Sequence, residues 1–114
     1  MSDQQFDPSS AEPVVPRSAV TVAALRKSVE RLDEERTAVF DEEFAQSRGD
    51  AVATSVFLSR WAMWVERYRV PATAARIHEL ELAMGAAATD EEARAVATEM
   101  SELLHKVTDG LVLP

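Results

Sequence analysis

Aromatic side chains are concentrated in one stretch of this chain and follow the spacing of an α-helix. Six of the seven aromatic residues lie between Phe40 and Tyr68. Four of them are separated by four, three and four residues: Phe57, Trp61, Trp64 and Tyr68. This spacing places them on one side of a helix, because an α-helix has about 3.6 residues per turn. Each covered ring buries about 150–250 Å², so the sequence predicts that this helix organises the fold.

Apolar residues recur with helical periodicity in the flanking segments as well. Thr21 is a good N-cap for a first helix, and Pro71 suits the first turn of the helix after the aromatic one. Between Leu32 and Glu35 the apolar phase shifts, so residues 21–47 form either one bent helix or two helices. Two helices are favoured, with Asp33 capping the second.

The last predicted helix begins with a capping box, formed by Thr89 and Glu92. Gly85 is expected to end the helix before it, and Gly110 to cap its C-terminus. The pattern favours no strand. The sequence therefore predicts an all-α fold, a compact bundle of four to five helices.

The first residues differ in composition from the rest of the chain. Residues 1–17 contain three prolines, are otherwise rich in polar and acidic groups, and have no apolar periodicity. They are predicted to form a disordered N-terminal tail. The remaining residues, 18–114, are predicted to form a single helical domain, because the chain of 114 residues has room for one core only.

Composition excludes several classes of protein. The chain contains no cysteine, so disulfides and cysteine-ligated zinc are ruled out. No uncharged apolar run approaches the length of about 18 residues that a membrane span needs. The N-terminus lacks a basic region followed by an apolar one, so a secretory signal is not expected and a cytoplasmic location is the default.

Catalytic, cofactor and metal motifs are not recognisable. Glu102 and His105 have the E-x-x-H spacing of di-iron bundles, but those proteins need the motif twice, and His78 has Ala75 in place of the second glutamate. The three glycines are isolated and form no phosphate-binding loop. We therefore expect a protein that is not an enzyme, with no cofactor and no metal.

The charge of the chain is −8 at pH 7. Only residues 51–71 are net positive. Such an acidic surface repels phosphate backbones and suits a basic protein partner. A basic cluster on the first helix (Arg26, Lys27 and Arg31), with Arg17 just before it, leaves a small DNA-binding regulator as an alternative. Neighbouring acidic residues cancel much of the field of this cluster, which disfavours nucleic acid as a ligand.

The aromatic helix carries the main functional prediction. Trp, Tyr and Arg are enriched at the energetic centres of protein interfaces. The predicted partner-binding residues are Arg60, Trp61, Trp64, Arg67 and Tyr68. Two alternatives remain open for the aromatic stripe of Phe57, Trp61, Trp64 and Tyr68: it belongs to the core of the domain, or it forms an interface with another molecule. A self-associating structural bundle would use the same surface, as a homodimer with its seam around Trp61 and Trp64.

Two short runs resemble a known group of proteins. Phe40-Asp41-Glu42-Glu43-Phe44 and Phe57-Leu58-Ser59-Arg60-Trp61 look like segments of a family of small actinobacterial helical proteins of unknown function. Some members of that family sit beside toxins of the RelE/ParE type, so the resemblance implies an antitoxin-like role. The sequence therefore favours an acidic helical interaction module that binds a basic partner protein.

Overall fold

The computed structural model describes residues 10–114, and its regular structure in that range is entirely helical. The five helices are α1 (Val22–Leu32), α2 (Arg36–Ser47), α3 (Ala51–Tyr68), α4 (Pro71–Ala86) and α5 (Asp90–Val107). The predicted all-α fold is confirmed.

The aromatic helix α3 is the centre of the fold and packs against all four other helices. Phe40 from α2 lies fully buried between two rings of α3, 4.9 Å from Phe57 and 5.2 Å from Trp61 between ring centroids, both in edge-to-face geometry. Such pairs stabilise by about 0.5–1.5 kcal/mol beyond the area they bury. The main core consists of Val15, Leu25, Val29, Phe40, Phe57, Trp61, Ala62 and Val65.

The junction between α1 and α2 is a break, so two helices are confirmed in place of one bent helix. The predicted role of Asp33 is wrong. Asp33 is the C-cap of α1, where its N–H donates to the Val29 carbonyl at 2.7 Å. The N-cap of α2 is Glu35, which makes no side-chain capping bond. Asp33 instead lies 3.6 Å from Arg36, in the first turn of α2.

Side-chain caps fix the starts of the longest helices. Asp50 accepts hydrogen bonds from the first amides of α3. At α5 the predicted residues Thr89 and Glu92 both cap the helix: Thr89 Oγ1 accepts from the Glu92 amide at 3.1 Å, and the Glu92 carboxylate accepts from the amide of Ala88, the residue before the N-cap, at 2.8 Å. Gly85 does not end α4, which continues to Ala86.

The segment from Ser10 to Arg17 packs on the helical domain. Val15 is 4% exposed and belongs to the core. The Val14 amide donates to the Arg69 carbonyl at 2.6 Å, and the Ser10 carbonyl accepts from the first turn of α4. The prediction of a disordered tail is therefore wrong for residues 10–17, which we call the N-terminal strap. Residues 1–9, the rest of the predicted tail, lie outside the described range.

Arg17 anchors this strap to a buried carboxylate. Glu66 on α3 is 3% exposed and receives hydrogen bonds from Arg17 and from Arg69. Arg17 also donates to the Val107 and Asp109 carbonyls at the end of α5. One guanidinium thus connects the strap, α3 and the C-terminus of α5.

The pair α4–α5 forms a helical hairpin at one side of the molecule. Ile77 and Leu80 of α4 are buried, whereas α5 has no buried residue at all. This asymmetry arises because α5 packs mainly on α4 and has little contact with α3. No helix among residues 10–114 is long and apolar enough to span a membrane.

Candidate functional site

A surface groove lies between α2 and α3, above the aromatic core. Its volume is about 260 Å³. The lining residues are Arg36, Val39, Glu43, Arg60, Trp61, Met63, Trp64 and Arg67. We call this feature the Trp64 groove.

The aromatic stripe of α3 divides between the core and this groove. Phe57 and Trp61 are 3% and 5% exposed, whereas Trp64 and Tyr68 are only half-buried. Trp61 donates from its indole Nε1 to a carboxylate oxygen of Glu43 at 2.9 Å. This bond joins α2 to α3 beneath the groove. Trp61 therefore forms the floor, and Trp64 is the ring that a visiting molecule would meet.

Trp64 is held in place by aromatic neighbours on its own helix. Its ring centroid lies 5.5 Å from that of Trp61 and 5.1 Å from that of Tyr68. The guanidinium of Arg36 lies 5.8 Å from its ring centroid, within the range of a cation–π contact. The ring is packed on its sides and open towards the groove. Its side chain would therefore lose little conformational entropy when a binding partner covers it.

Three arginines surround this ring, and Glu43 is the single carboxylate that lines the groove. Arg60 has a side chain that is 65% exposed, and its Nη1 lies 3.4 Å from Glu43. The buried Nε of Arg67 has no hydrogen-bond partner among residues 10–114. Three arginines and one carboxylate line the groove, so its edge is net positive.

Exposed aliphatic side chains extend this surface. Val39 of α2 is 43% exposed at the groove, and Val56 of α3 is 53% exposed one helical turn before Arg60. Val52, a further turn away, is 74% exposed. Isolated exposed valines are common on protein surfaces. Here they form a row with the groove, and this continuity is typical of an interaction surface.

Four of the five residues predicted to bind a partner line the groove: Arg60, Trp61, Trp64 and Arg67. The fifth, Tyr68, packs behind Trp64. Sequence reasoning missed the contribution of α2, which is Arg36, Val39 and Glu43. One signal was present: Val39 is adjacent to Phe40 and thus about 100° from it on the helix, so it lies to one side of the direction in which Phe40 points.

The basic cluster that suggested DNA binding is largely engaged within the protein. Arg17 is bound to Glu66, and Arg31 donates to a strap carbonyl. Arg26 makes two hydrogen bonds to Asp41, and this guanidinium lowers the pKa of the Asp41 carboxyl below its usual range. Cations held in this way are poorly placed to neutralise phosphates, which disfavours the DNA-binding alternative.

The E-x-x-H pair lies on the exposed surface of α5, since Glu102 and His105 are both exposed. Within residues 10–114 there is no group of three or more histidine, aspartate or glutamate side chains placed to hold a metal ion.

Comparison of the chain with protein-family models, with curated proteins and with solved structures finds no significant match. The resemblance to actinobacterial helical proteins therefore stays a prediction.

Proposed function

We propose that this protein is a helical protein–protein interaction module whose Trp64 groove binds an acidic segment of a partner protein through an apolar anchor. The observation that carries the proposal is the half-buried ring of Trp64 surrounded by Arg36, Arg60 and Arg67. Interfaces concentrate their binding energy in tryptophan and arginine side chains that a partner covers completely. The groove offers both residue types on rigid helices.

The charge of the bound segment follows from local rather than overall electrostatics. The whole chain is acidic, at −8, and on that basis the sequence favoured a basic partner. Exposed charges further apart than a Debye length, about 8 Å at physiological salt, are largely screened. The charges nearest to the groove are the three arginines, Glu43, whose carboxylate already accepts from Trp61, and Asp33, which lies 3.6 Å from Arg36. A carboxylate on the partner would therefore find arginine donors within reach.

The chemistry of the groove supports binding rather than catalysis. Its titratable lining groups are three arginines, which stay protonated at all physiological pH values, and Glu43. General acid–base catalysis is most efficient with a side chain that exchanges a proton near the working pH. Binding is the activity that these side chains support. An antitoxin-like role, which the family resemblance implies, is one setting in which such a module would operate.

A selection of random peptides on the immobilised full-length protein tests the proposal. Enriched peptides should carry aspartate or glutamate near an aromatic or large aliphatic residue. Their affinity should fall about tenfold or more for Arg60→Glu, because a like charge replaces a complementary one at the edge of the groove. Arg60 is exposed, so this substitution leaves the core intact.

The matched control is Arg94→Glu, the same charge reversal at an exposed position of α5. It should leave peptide affinity unchanged. The proposal is contradicted if selected peptides lack acidic residues, or if Arg94→Glu weakens binding as much as Arg60→Glu does. Circular dichroism spectra of both variants should match that of the wild type.

A further inference from the structure

We infer that a second site, near the C-terminal end of α5, binds a small phosphate monoester. The site is a cavity of about 270 Å³ to which the N-terminal strap, α3, α5 and the start of α4 contribute residues. We call it the Lys106 cavity, after the lysine that α5 supplies to its lining. The inference goes beyond the proposed function, because no residue of this cavity lines the Trp64 groove.

The cavity is lined by more positive than negative charge. Three of its four charged lining residues are cations: Arg17, Arg69 and Lys106. The fourth is Glu66, whose side chain is 2% exposed. Its Oε1 already accepts hydrogen bonds from Arg17 at 2.9 and 3.1 Å and from Arg69 at 3.1 Å. One carboxylate offsets one of the three cations, so the lining has a net charge of +2.

The two arginines are held in fixed positions beside the cavity. Arg17 bridges Glu66 and the carbonyls of Val107 and Asp109, and its guanidinium thereby covers the negative C-terminal end of α5. Arg69 uses its Nε to bind Glu66, and the terminal nitrogens of a guanidinium carry four more N–H donors. A planar donor group that is already ordered loses little conformational entropy when it binds an oxyanion.

The start of α4 adds the positive end of a helix dipole to the same cavity. Val70, the N-cap of α4, and Thr73, in its first turn, both line the cavity. Val70 makes no side-chain capping bond, and the first turn of α4 contains no acidic residue. Helix N-termini favour bound phosphate groups, and the hydroxyl of Thr73 is a further donor. Two separate features, the helix terminus and the three cations, therefore favour an anion here.

Charge and size together select the class of ligand. A phosphate monoester carries a charge of about −1.5 to −2 at pH 7, which matches the net charge of the lining better than the single charge of a carboxylate does. Apolar side chains, those of Val70, Leu103 and Val107, line the rest of the cavity. Its volume lies just below the range of about 300–1,000 Å³ that is typical of pockets for drug-sized ligands. The organic group of the ester is therefore small and at least partly apolar.

NMR of the two lysines during a phosphate titration tests the inference. The chain contains only Lys27, on α1, and Lys106. Reductive methylation with ¹³C-formaldehyde labels both side chains and keeps their positive charge, and Lys27→Gln assigns the two signals. When the full-length protein is titrated with ethyl phosphate at constant ionic strength, the Lys106 signal should shift to saturation and the Lys27 signal should not. Inorganic phosphate should shift the same signal with lower affinity, because it lacks the apolar group.

Calorimetric titration of lysine variants measures the contribution of the cation. Lys106→Gln should weaken the binding of ethyl phosphate about tenfold or more, because the lining loses one of its three cations. Lys106 is exposed, so the substitution leaves the core intact. Lys106→Arg keeps the charge and should retain most of the affinity. The matched control is Lys27→Gln, the same change at an exposed position that does not line the cavity, and it should leave the affinity unchanged.

Three results would overturn the inference. The first is a Lys106 signal that neither ethyl phosphate nor inorganic phosphate shifts at millimolar concentrations. The second is an equal response of Lys27 and Lys106, or a Lys106→Gln variant that binds as tightly as the wild type, since either would show a general attraction of anions to cations. The third is binding of acetate as tight as that of ethyl phosphate, which would show that the cavity does not select a phosphate group.

Discussion

Replacing Arg17 with alanine should destabilise this protein more than replacing Arg26, although both arginines hold a carboxylate through two hydrogen bonds. Arg17 donates to Glu66 at 3.1 and 2.9 Å, and Arg26 donates to Asp41 at 2.7 and 2.8 Å. The pairs differ in burial: the Glu66 side chain is 2% exposed, and that of Asp41 is 48% exposed. Burial should decide the outcome, because exposed ion pairs contribute little to stability.

The expected loss for Arg17→Ala follows from its contacts. Breaking a buried ion pair costs about 3–5 kcal/mol when the remaining charge is left alone. Glu66 keeps Arg69 at 3.1 Å, so this range is an upper limit. Arg17 also donates to two carbonyls at the end of α5, and hydrogen bonds from charged groups contribute about 1.5–3 kcal/mol each when buried. Since the Arg17 side chain is 36% exposed, we expect a total loss of about 2–3 kcal/mol.

Urea unfolding followed by tryptophan fluorescence measures both variants. Arg17→Ala should lower the unfolding midpoint, with an unchanged slope if the native state stays compact. Hydrogen exchange should also show lost protection at the Val14 amide, which marks release of the strap. The reasoning is refuted if Arg26→Ala lowers the free energy of unfolding as much as Arg17→Ala does, or if Arg17→Ala changes neither quantity.

Three further outcomes are expected. Phe40→Ala should lower the free energy of unfolding by about 3–5 kcal/mol, because Phe40 is 0% exposed and packed between two rings; a loss below about 1 kcal/mol in the same urea assay would mean that the core is packed differently. Thr89→Ala should lower it by about 1 kcal/mol through loss of the α5 N-cap, whereas Thr98→Ala, inside the same helix, should change it less. An NMR titration should place the Asp41 pKa below the usual value of about 3.9, and Arg26→Ala should return it there. Because the folded-state pKa is the lower one, the stabilisation by this pair is present above the unfolded-state pKa and is lost as the pH falls through the folded-state value; a normal Asp41 pKa would show that the pair does not form in solution.

Sequence patterns predicted the helices well because their signals are local. Helical periodicity, the N-cap at Thr21, Pro71 at the start of α4 and the Thr89–Glu92 pair each act within one or two turns. The strap could not be predicted in this way. Its prolines and polar residues are typical of disorder, and its order depends on Glu66, which lies 49 residues from Arg17 in sequence.

The sequence predicted the side of the candidate site that α3 supplies, because helical spacing is a local signal. One helix supplies Arg60, Trp64 and Arg67, so their spacing places them on neighbouring faces. The opposite wall comes from α2, and no local pattern fixes which face of α2 meets α3. No local pattern shows which aromatic residues of α3 are buried. Phe57 and Trp61 are covered by the other core residues, whereas Trp64 lines the open groove.

The two tryptophans provide the most direct test of the proposed function. The chain contains only Trp61 and Trp64, so the ¹⁵N-labelled protein gives two indole N–H signals, which Trp64→Phe assigns. On titration with a selected acidic peptide, the Trp64 signal should shift most, together with the amides of α2 and α3 around it. Saturable binding that leaves the Trp64 signal in place and shifts residues of α5 instead would contradict the account.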